Sequence, residues 1–229
     1  MISWPGTAMP GTSRKPRSEM DNPSKLPWLD WCRKLAAIAQ NGLTYARDPY
    51  DVERYSSLRE IAAEMVAAGS GADISRIRDL LGKDTGYATP KVDVRGVVFQ
   101  WNKILLVQEQ SDGKWAVPGG WADVCESPSE NVTREVFEET GYRVRCAKLV
   151  AVLDRSKHPH EPPFLYHIYK LFLECEILSG EAKPGADIQA VGFFGEKEIP
   201  ALSLTRITMG QLAMLFEHHK NPDQPAGFD

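Results

Sequence analysis

The sequence predicts an α+β protein: a mixed β-sheet with flanking helices, preceded by a small all-α region. Three observations carry that prediction. Apolar residues recur at three- and four-residue steps through about residue 82, switch to two-residue steps after Pro90, and are interrupted there by one helix whose two ends are both marked. At 229 residues, 42% of them hydrophobic, the chain exceeds the ~100 to 150 residues usual for one domain and suits one medium domain plus a small one.

Taken in order, residues 1–25 are rich in Pro, Gly, Ser, Lys and Arg without a periodic apolar pattern, which predicts a flexible tail. From Leu26 onward, Trp28, Trp31, Cys32, Leu35 and Ala39 make a helical stripe, with Asn41-Gly42 as its expected left-handed stop. Asp48-Pro49 opens a second helix, a capping residue followed by the residue best tolerated in a first turn. That helix carries Val52, Tyr55, Leu58, Ala62 and Met65 and ends before Gly69-Ser70-Gly71. A third runs from Asp73 to Leu81, with Ile74, Ile77 and Leu81 apolar. The expected boundaries are therefore a helical domain over 26–82, a linker over 83–90 and a second domain over 91–229. Three short helices in ~55 residues hide little core by themselves, so their stripes need the rest of the chain or another subunit. A homodimer through these helices is the expectation, with Trp28, Trp31, Leu35, Tyr55, Leu58 and Met65 as the apolar residues concerned.

After Pro90 come the strand patterns VDVRGVVF and KILLVQEQ, a turn at Ser111-Asp112-Gly113, and KWAVPGG. A helix over Ser127 to Thr140 follows, then YRVRCAKLVAVLD, FLYHIYKLFLECEIL, VGFF and a last helix from about Thr205 to His219.

Composition excludes several classes. With 27 Lys+Arg against 31 Asp+Glu, no global positive field would hold duplex nucleic acid. Cys32, Cys125, Cys146 and Cys175 fall in four separate segments with no close pair of the zinc-knuckle or redox kind, so reduced thiols are expected. No apolar run reaches the ~18 residues of a membrane span, and none at the start has signal-peptide length. A soluble, cytoplasmic protein without a membrane partner is the expectation.

The chemistry concentrates in Gly119 to Tyr142, GGWADVCESPSENVTREVFEETGY. Ser127 is a good N-cap, Pro128 suits the first helical position, Glu130 completes a capping box, and Gly141 is a C-terminal stop. On the helix so fenced, Glu135, Glu138 and Glu139 share one face, within an arc of roughly 100° at 3.6 residues per turn. Like charges at this spacing repel, and only Arg134 lies near to relieve them. Taken alone, the cluster is either a solvated acidic face or a site for hard divalent cations, since Mg²⁺ takes oxygen ligands and needs only a few carboxylates beside waters and phosphate oxygens.

The same segment resembles the Nudix box. Gly120, Glu126, Arg134-Glu135, the apolar Val136, Glu138-Glu139 and Gly141 stand at the family's spacing. Tyr142 replaces the usual Ile, Leu or Val at the final apolar position. The resemblance implies that Glu135 and Glu139 are the principal metal ligands, that Glu138 is a third ligand or a base, and that the Gly119 carbonyl completes the shell. It also implies that Arg134 and Glu126 hold these carboxylates in place. Mg²⁺, or alternatively Mn²⁺, is the implied cofactor, and metal-assisted hydrolysis of a pyrophosphate the implied reaction. The segment from Pro27 to Met65 resembles the helical domain that precedes the Nudix fold in a subfamily of ADP-ribose and CDP-choline pyrophosphatases, and that likeness continues through WAVPGGWADV, LDRSKHPH, YKLFLEC, VGFF and Phe228-Asp229. A small nucleotide is the implied substrate, ADP-ribose ahead of CDP-choline. Two rivals are RNA 5′-end processing and a non-catalytic nucleotide-binding regulatory module.

Outside the box the readings stay open. Asp93 and Arg95 alternate to one face of the first strand and either bind a phosphate or ribose or form an ion pair. Trp121 is a candidate for stacking a base, Trp115 for the core. His158 and His160 lie in a loop that is either a substrate lid or solvated. Glu138, Glu161 and Asp187 are alternatives for the general base. The subfamily usually has a second acidic residue where this chain has Ala190.

Overall fold

The computed structural model describes residues 27–229; the tail expected over 1–25 lies outside the described residues. Helix α1 spans Pro27–Tyr45, α2 Pro49–Ser70 and α3 Ile74–Lys83. Asp48 caps α2 as expected, and Asp73, where the third helix is expected to start, caps α3; both accept first-turn N–H groups, and Gly71 closes α2 at φ 69°. Helix α1, however, continues past the stop expected at Asn41-Gly42, and α3 runs through Gly82. Gly42 has another purpose. A Cβ there would lie 2.3 Å from the Tyr55 ring, so the missing side chain is what lets α1 and α2 approach. Asn41 ties its helix to the linker instead, its Oδ1 accepting the Ala88 N–H at 2.7 Å.

The three helices enclose Cys32, Ala63, Val66 and Ile77, with Trp28, Met65 and Leu81 partly buried against them. The expected stripe of α1 is rotated: Leu29, Cys32 and Ala39 face inward, while Trp31 is 58% exposed and Ile38 and Tyr45 stand outside with it. These three recur at seven-residue steps and so mark one solvent-facing stripe of the helix.

The rest is a seven-stranded mixed sheet. Strands β1 (Lys91–Gln100), β2 (Lys103–Glu109), β3 (Trp115–Ala116), β4 (Tyr142–Asp154), β5 (Ile168–Gly180), β6 (Ile188–Phe194) and β7 (Gly227–Phe228) lie in the order β3-β2-β1-β5-β4-β7, with β6 pairing β2. Strands β1 and β5 pair in parallel, with Asp93 opposite Lys170. Each sheet face is covered by one helix. Helix α4 (Pro128–Thr140) brings Val132 and Val136 against Val94, Val98, Leu105 and Leu173. Helix α5 (Met209–Lys220), capped by Thr208 rather than starting at Thr205, brings Leu212, Leu215 and Phe216 against Ile104, Leu106 and Phe172. Tyr142, the soft position of the box, packs edge-on against Phe193 with centroids 5.9 Å apart. The four cysteines are free, but the sheet sets Cys146 opposite Cys175, a proximity that spacing along the chain concealed.

Gly42→Ala tests the helix contact. On an open helix alanine would gain up to ~1 kcal/mol in propensity; against the Tyr55 ring it is expected to cost about 1–3 kcal/mol by overpacking. A lowered thermal midpoint is the expected result, and an unchanged or raised one contradicts the contact.

Candidate active site

Helix α4 forms as its local sequence dictates. Ser127 and Glu130 make the reciprocal capping box, Pro128 opens the helix, and Gly141 ends it at φ 79°. Arg134 then becomes the centre of an acidic ring. Its guanidinium reaches Asp123 at 2.7 Å, Glu126 at 3.2 Å, Glu135 at 2.9 Å and Glu138 at 3.1 Å. Glu130, four residues before it on the helix, bonds Ser127 instead. Against the cost of burial, the bonds to Glu126 and Glu135 hold the Arg134 charge firmly. Charge-assisted bonds of this kind fix carboxylate rotamers.

Glu139 is held differently. Among the described residues no cationic side chain bonds it; its Oε2 accepts the Gly119 N–H at 2.9 Å. Gly119 sits at φ 136°, and a Cβ there would fall 2.1 Å from the Val94 carbonyl oxygen, so only glycine lets this loop lie flat on β1. The loop is pinned there by Val94 N–H to the Gly120 carbonyl, Gly96 N–H to the Pro118 carbonyl and Ala122 N–H to the Val92 carbonyl. Burial pushes the Glu139 carboxyl up to about 7, with Glu109 and Glu135 adding to the effect and Arg95 and the Gly119 N–H opposing it. Burial also raises Glu135. Glu135 shares Arg134 with three other carboxylates, whereas Glu139 has the Gly119 N–H.

A cavity of about 770 Å³ opens beside them. Glu139, Gly119, Gly120 and Trp121 line one side, and Asp93, Arg95 and Lys170 line it from the sheet. Asp93 accepts Arg95 Nε at 2.8 Å and Nη2 at 2.7 Å, and Lys170 Nζ at 2.8 Å. The third arm of Arg95 donates to the Val117 carbonyl at 3.1 Å. Burial alone would raise Asp93, yet its two cations hold it below the usual carboxylate range. The ion-pair reading of Asp93 and Arg95 is thus what the geometry displays, at the cavity wall. Glu109, bonded to Arg206 at 2.8 Å, and Asp187 also line the cavity, whereas Glu161 does not. Trp115 packs edge-on to Phe194 at 4.7 Å. Trp121 is 46% exposed, with Phe164 across from it at 6.4 Å.

The loop after β4 is neither fully solvated nor free. His158 Nε2 meets Asp229 at 3.2 Å. His160 is buried, its Nδ1 donating to the Leu204 carbonyl at 2.8 Å and its Nε2 without a partner among the described residues. A second cavity, about 630 Å³, lies between this loop, α1 and the linker; none of the box carboxylates lines it.

Sequence reasoning did not pick out Lys170, Glu109, Arg206, Arg155 or Phe164. A lone lysine inside the apolar run of β5 was a readable signal for the first; the others carried none.

Among the described residues, no three His, Cys, Asp and Glu side chains gather tightly enough to hold a metal ion by themselves. The donor chemistry nonetheless fits a hard divalent cation. Glu135, Glu138 and Glu139 offer oxygens only, Glu139 lacks a cation, and no backbone N–H among the described residues occupies the Gly119 carbonyl. Mg²⁺ completes its shell with waters and phosphate oxygens, so a closed protein cage is not required.

His160 supplies a pH test. Burial lowers it to about 3, with Lys170, Arg155 and His158 adding like charge and the Leu204 carbonyl opposing. A depressed folded value gives stability that is complete above about pH 6.5, the unfolded value, and lost as pH falls toward 3. His160→Asn, which keeps a donor for Leu204, is expected to flatten the fall of the unfolding midpoint between pH 7 and 4. An unchanged slope contradicts the assignment.

Comparison with known proteins places the chain. Residues 27–81 match a family described as a UDP-X-like, N-terminal oligomerisation domain, and residues 89–215 match the NUDIX domain. A Bacillus subtilis (strain 168) protein with a provisional ADP-ribose pyrophosphatase name is 46% identical over 88% of this chain and 97% of its own. An ADP-ribose pyrophosphatase of Methanocaldococcus jannaschii is 32% identical over 51% of this chain and 69% of its own. Among solved structures, a UDP-X diphosphatase covers 89% of this chain and 98% of its own at 32% identity, TM-score 0.58. A Streptococcus suis ADP-ribose pyrophosphatase covers 62% of this chain and all of its own at 42% identity, TM-score 0.56.

Proposed function

This chain belongs to the Nudix hydrolase family, and from that premise we propose that it cleaves the pyrophosphate of ADP-ribose. The family's reaction on a nucleoside diphosphate linked to a second group gives a nucleoside monophosphate and a phosphorylated partner. The observation that carries the reading is the pairing of a complete box with a cavity. Glu139, held by Gly119 at 2.9 Å, faces a space of about 770 Å³, within the range of nucleotide-sized sites. The names of the Bacillus, Methanocaldococcus and Streptococcus relatives favour ADP-ribose. The UDP-X diphosphatase, whose likeness includes the helical region, favours a pyrimidine nucleoside diphosphate as the second reading; CDP-choline is one such compound.

Nudix hydrolases generally depend on a divalent metal, and Mg²⁺ is the proposed ion here, with Mn²⁺ as a substitute. Glu135 and Glu139, with Glu138 and the Gly119 carbonyl, would hold it. Bound there, the ion would neutralise pyrophosphate charge and acidify a water. Arg134 and Glu126 keep the glutamates aligned, and Lys170 and Arg95 keep positive charge along the cavity wall where phosphate oxygens would lie. Asp187, at the cavity, is a better placed base than Glu161; Glu138 is the alternative on α4.

Glu139→Gln keeps the shape and removes one ligand charge. A fall in turnover of at least ~100-fold, equivalent to nearly 3 kcal/mol of transition-state stabilisation, is expected, with the same loss for wild type in EDTA. Near-normal ADP-ribose hydrolysis in either case contradicts the metal assignment.

The proposed assembly is a homodimer. The helical region matches a family of oligomerisation domains, and the described residues leave an apolar stripe of Trp31, Ile38 and Tyr45 on α1 uncovered. Trp31→Asp combined with Ile38→Asp is expected to convert a dimer into a monomer in light scattering. A wild type that is monomeric at micromolar concentration, or a variant that stays dimeric, overturns this.

A further inference from the structure

The chain between Arg155 and Ile168 links the helical region to the cavity through two neighbouring residues that face opposite ways. Leu165 packs against the helical core of Cys32, Ala63, Val66 and Ile77. Phe164, one residue earlier, lines the cavity beside Glu139 and Trp121. Arg33 of α1 fastens both: its Nε donates to the Leu165 carbonyl at 3.2 Å and its Nη2 to the Phe164 carbonyl, while its remaining arm is steadied by Asp30 at 2.7 Å. Behind Phe164 lies Arg155, its guanidinium 5.3 Å from the ring centroid. Arg155 is itself buried and donates to the Pro162 and Thr205 carbonyls. Phe164 is therefore held at its carbonyl by Arg33 and flanked at its ring by Arg155, and the first of these belongs to the helical region.

We propose that the helical region is a working part of the substrate pocket: through Arg33 and Leu165 it holds Phe164 opposite Trp121, so that the two rings form a slot for the substrate's base. The inference rests on the proposed hydrolysis of a nucleoside diphosphate, and it deepens that reading by naming the wall that reads the nucleoside. A planar base touching both rings needs them about 7 Å apart, twice the ~3.5 Å contact distance between carbon atoms. The observed centroid separation is 6.4 Å, at an angle of 42°. A small swing of the half-exposed Trp121 completes the slot, while Phe164 stays where Arg33 and Arg155 hold it. The role of Arg33 is positioning, since its contacts are with backbone carbonyls and Asp30.

The test uses the full chain and ADP-ribose as probe, in two measurements. Steady-state hydrolysis separates KM from kcat, and tryptophan fluorescence titration in EDTA reads binding without turnover. Phe164→Ala is expected to raise KM and Kd roughly tenfold, as loss of one aromatic face from a stacked base does, with kcat changed less than about twofold. Arg33→Ala is expected to do nearly the same with the oligomeric state unchanged, and Arg33→Lys, which can keep one carbonyl bond, to fall between. The double variant Arg33→Ala/Phe164→Ala should resemble Phe164→Ala alone, because the arginine acts through the ring. Equal KM and Kd in wild type and Arg33→Ala, or effects that multiply in the double variant, overturn the proposal, as does a wild type that binds no ADP-ribose. Tight binding without hydrolysis would instead overturn the proposed activity and leave the slot standing. Leu165→Ala, which removes the packing and keeps the carbonyl bonds, guards against a folding artefact: a raised KM at an unchanged melting temperature supports the link, and an unchanged KM counts against it.

Discussion

The bond from the Gly119 N–H to Glu139, 2.9 Å long, joins the two halves of the candidate centre. It ties the loop lying on β1 to the carboxylate face of α4, so the distance between the loop's carbonyls and the helix's glutamates follows from it. Its formation depends on a backbone that only glycine adopts there, since a Cβ would strike the Val94 carbonyl oxygen. Without the flat approach the N–H would point elsewhere, and a buried carboxylate would have to be satisfied by other means.

Charge then organises what surrounds this bond. On α4 the acidic groups outnumber their one cation, Arg134, which divides itself among four carboxylates. Across the cavity the proportion reverses, for Asp93 is shared by Arg95 and Lys170. A buried arrangement of this kind contributes little net stability, because removing ions from water offsets most of their attraction. Its value is a wall where opposite signs face each other across one space, which suits a dication on one side and a diphosphate on the other. In the proposed slot the helical region supports a third wall, its Arg33 holding the carbonyls of Leu165 and Phe164 while Phe164 itself lines the cavity.

How much of this was readable from sequence follows the range of each interaction. Helix α4 was legible in full because its caps, its carboxylate face and its stop all lie within about four turns. The first helix was misjudged at Asn41-Gly42 because the reason for that glycine, the Tyr55 ring, belongs to the next helix. The same limit hid the outward turn of Trp31, whose neighbours are decided by how α2 and α3 pack. Lys170 stood in plain view as a lysine within an apolar strand, but its partner Asp93 is brought opposite it only by parallel pairing of β1 and β5. The run FLYHIYKLFLECEIL puts Phe164 at the start of a strand, but β5 begins only at Ile168, and nothing local marks Phe164 or Arg155 as facing the cavity. They reach the cavity because a loop is gripped at both ends, by Arg33 and by the Pro162 and Thr205 carbonyls.

In the proposed function Glu139, Glu135 and the Gly119 loop form one cation site facing the cavity. A crystal structure of the full chain with Mg²⁺ and a non-hydrolysable methylene analogue of ADP-ribose tests it most directly. The expected density is a cation bonded to Glu139 and Glu135 at about 2.1 Å, sharing its shell with phosphate oxygens of the analogue inside the cavity lined by Lys170 and Trp121. A cation bound away from α4, or an analogue seated in the other cavity beside the helical region, would contradict it.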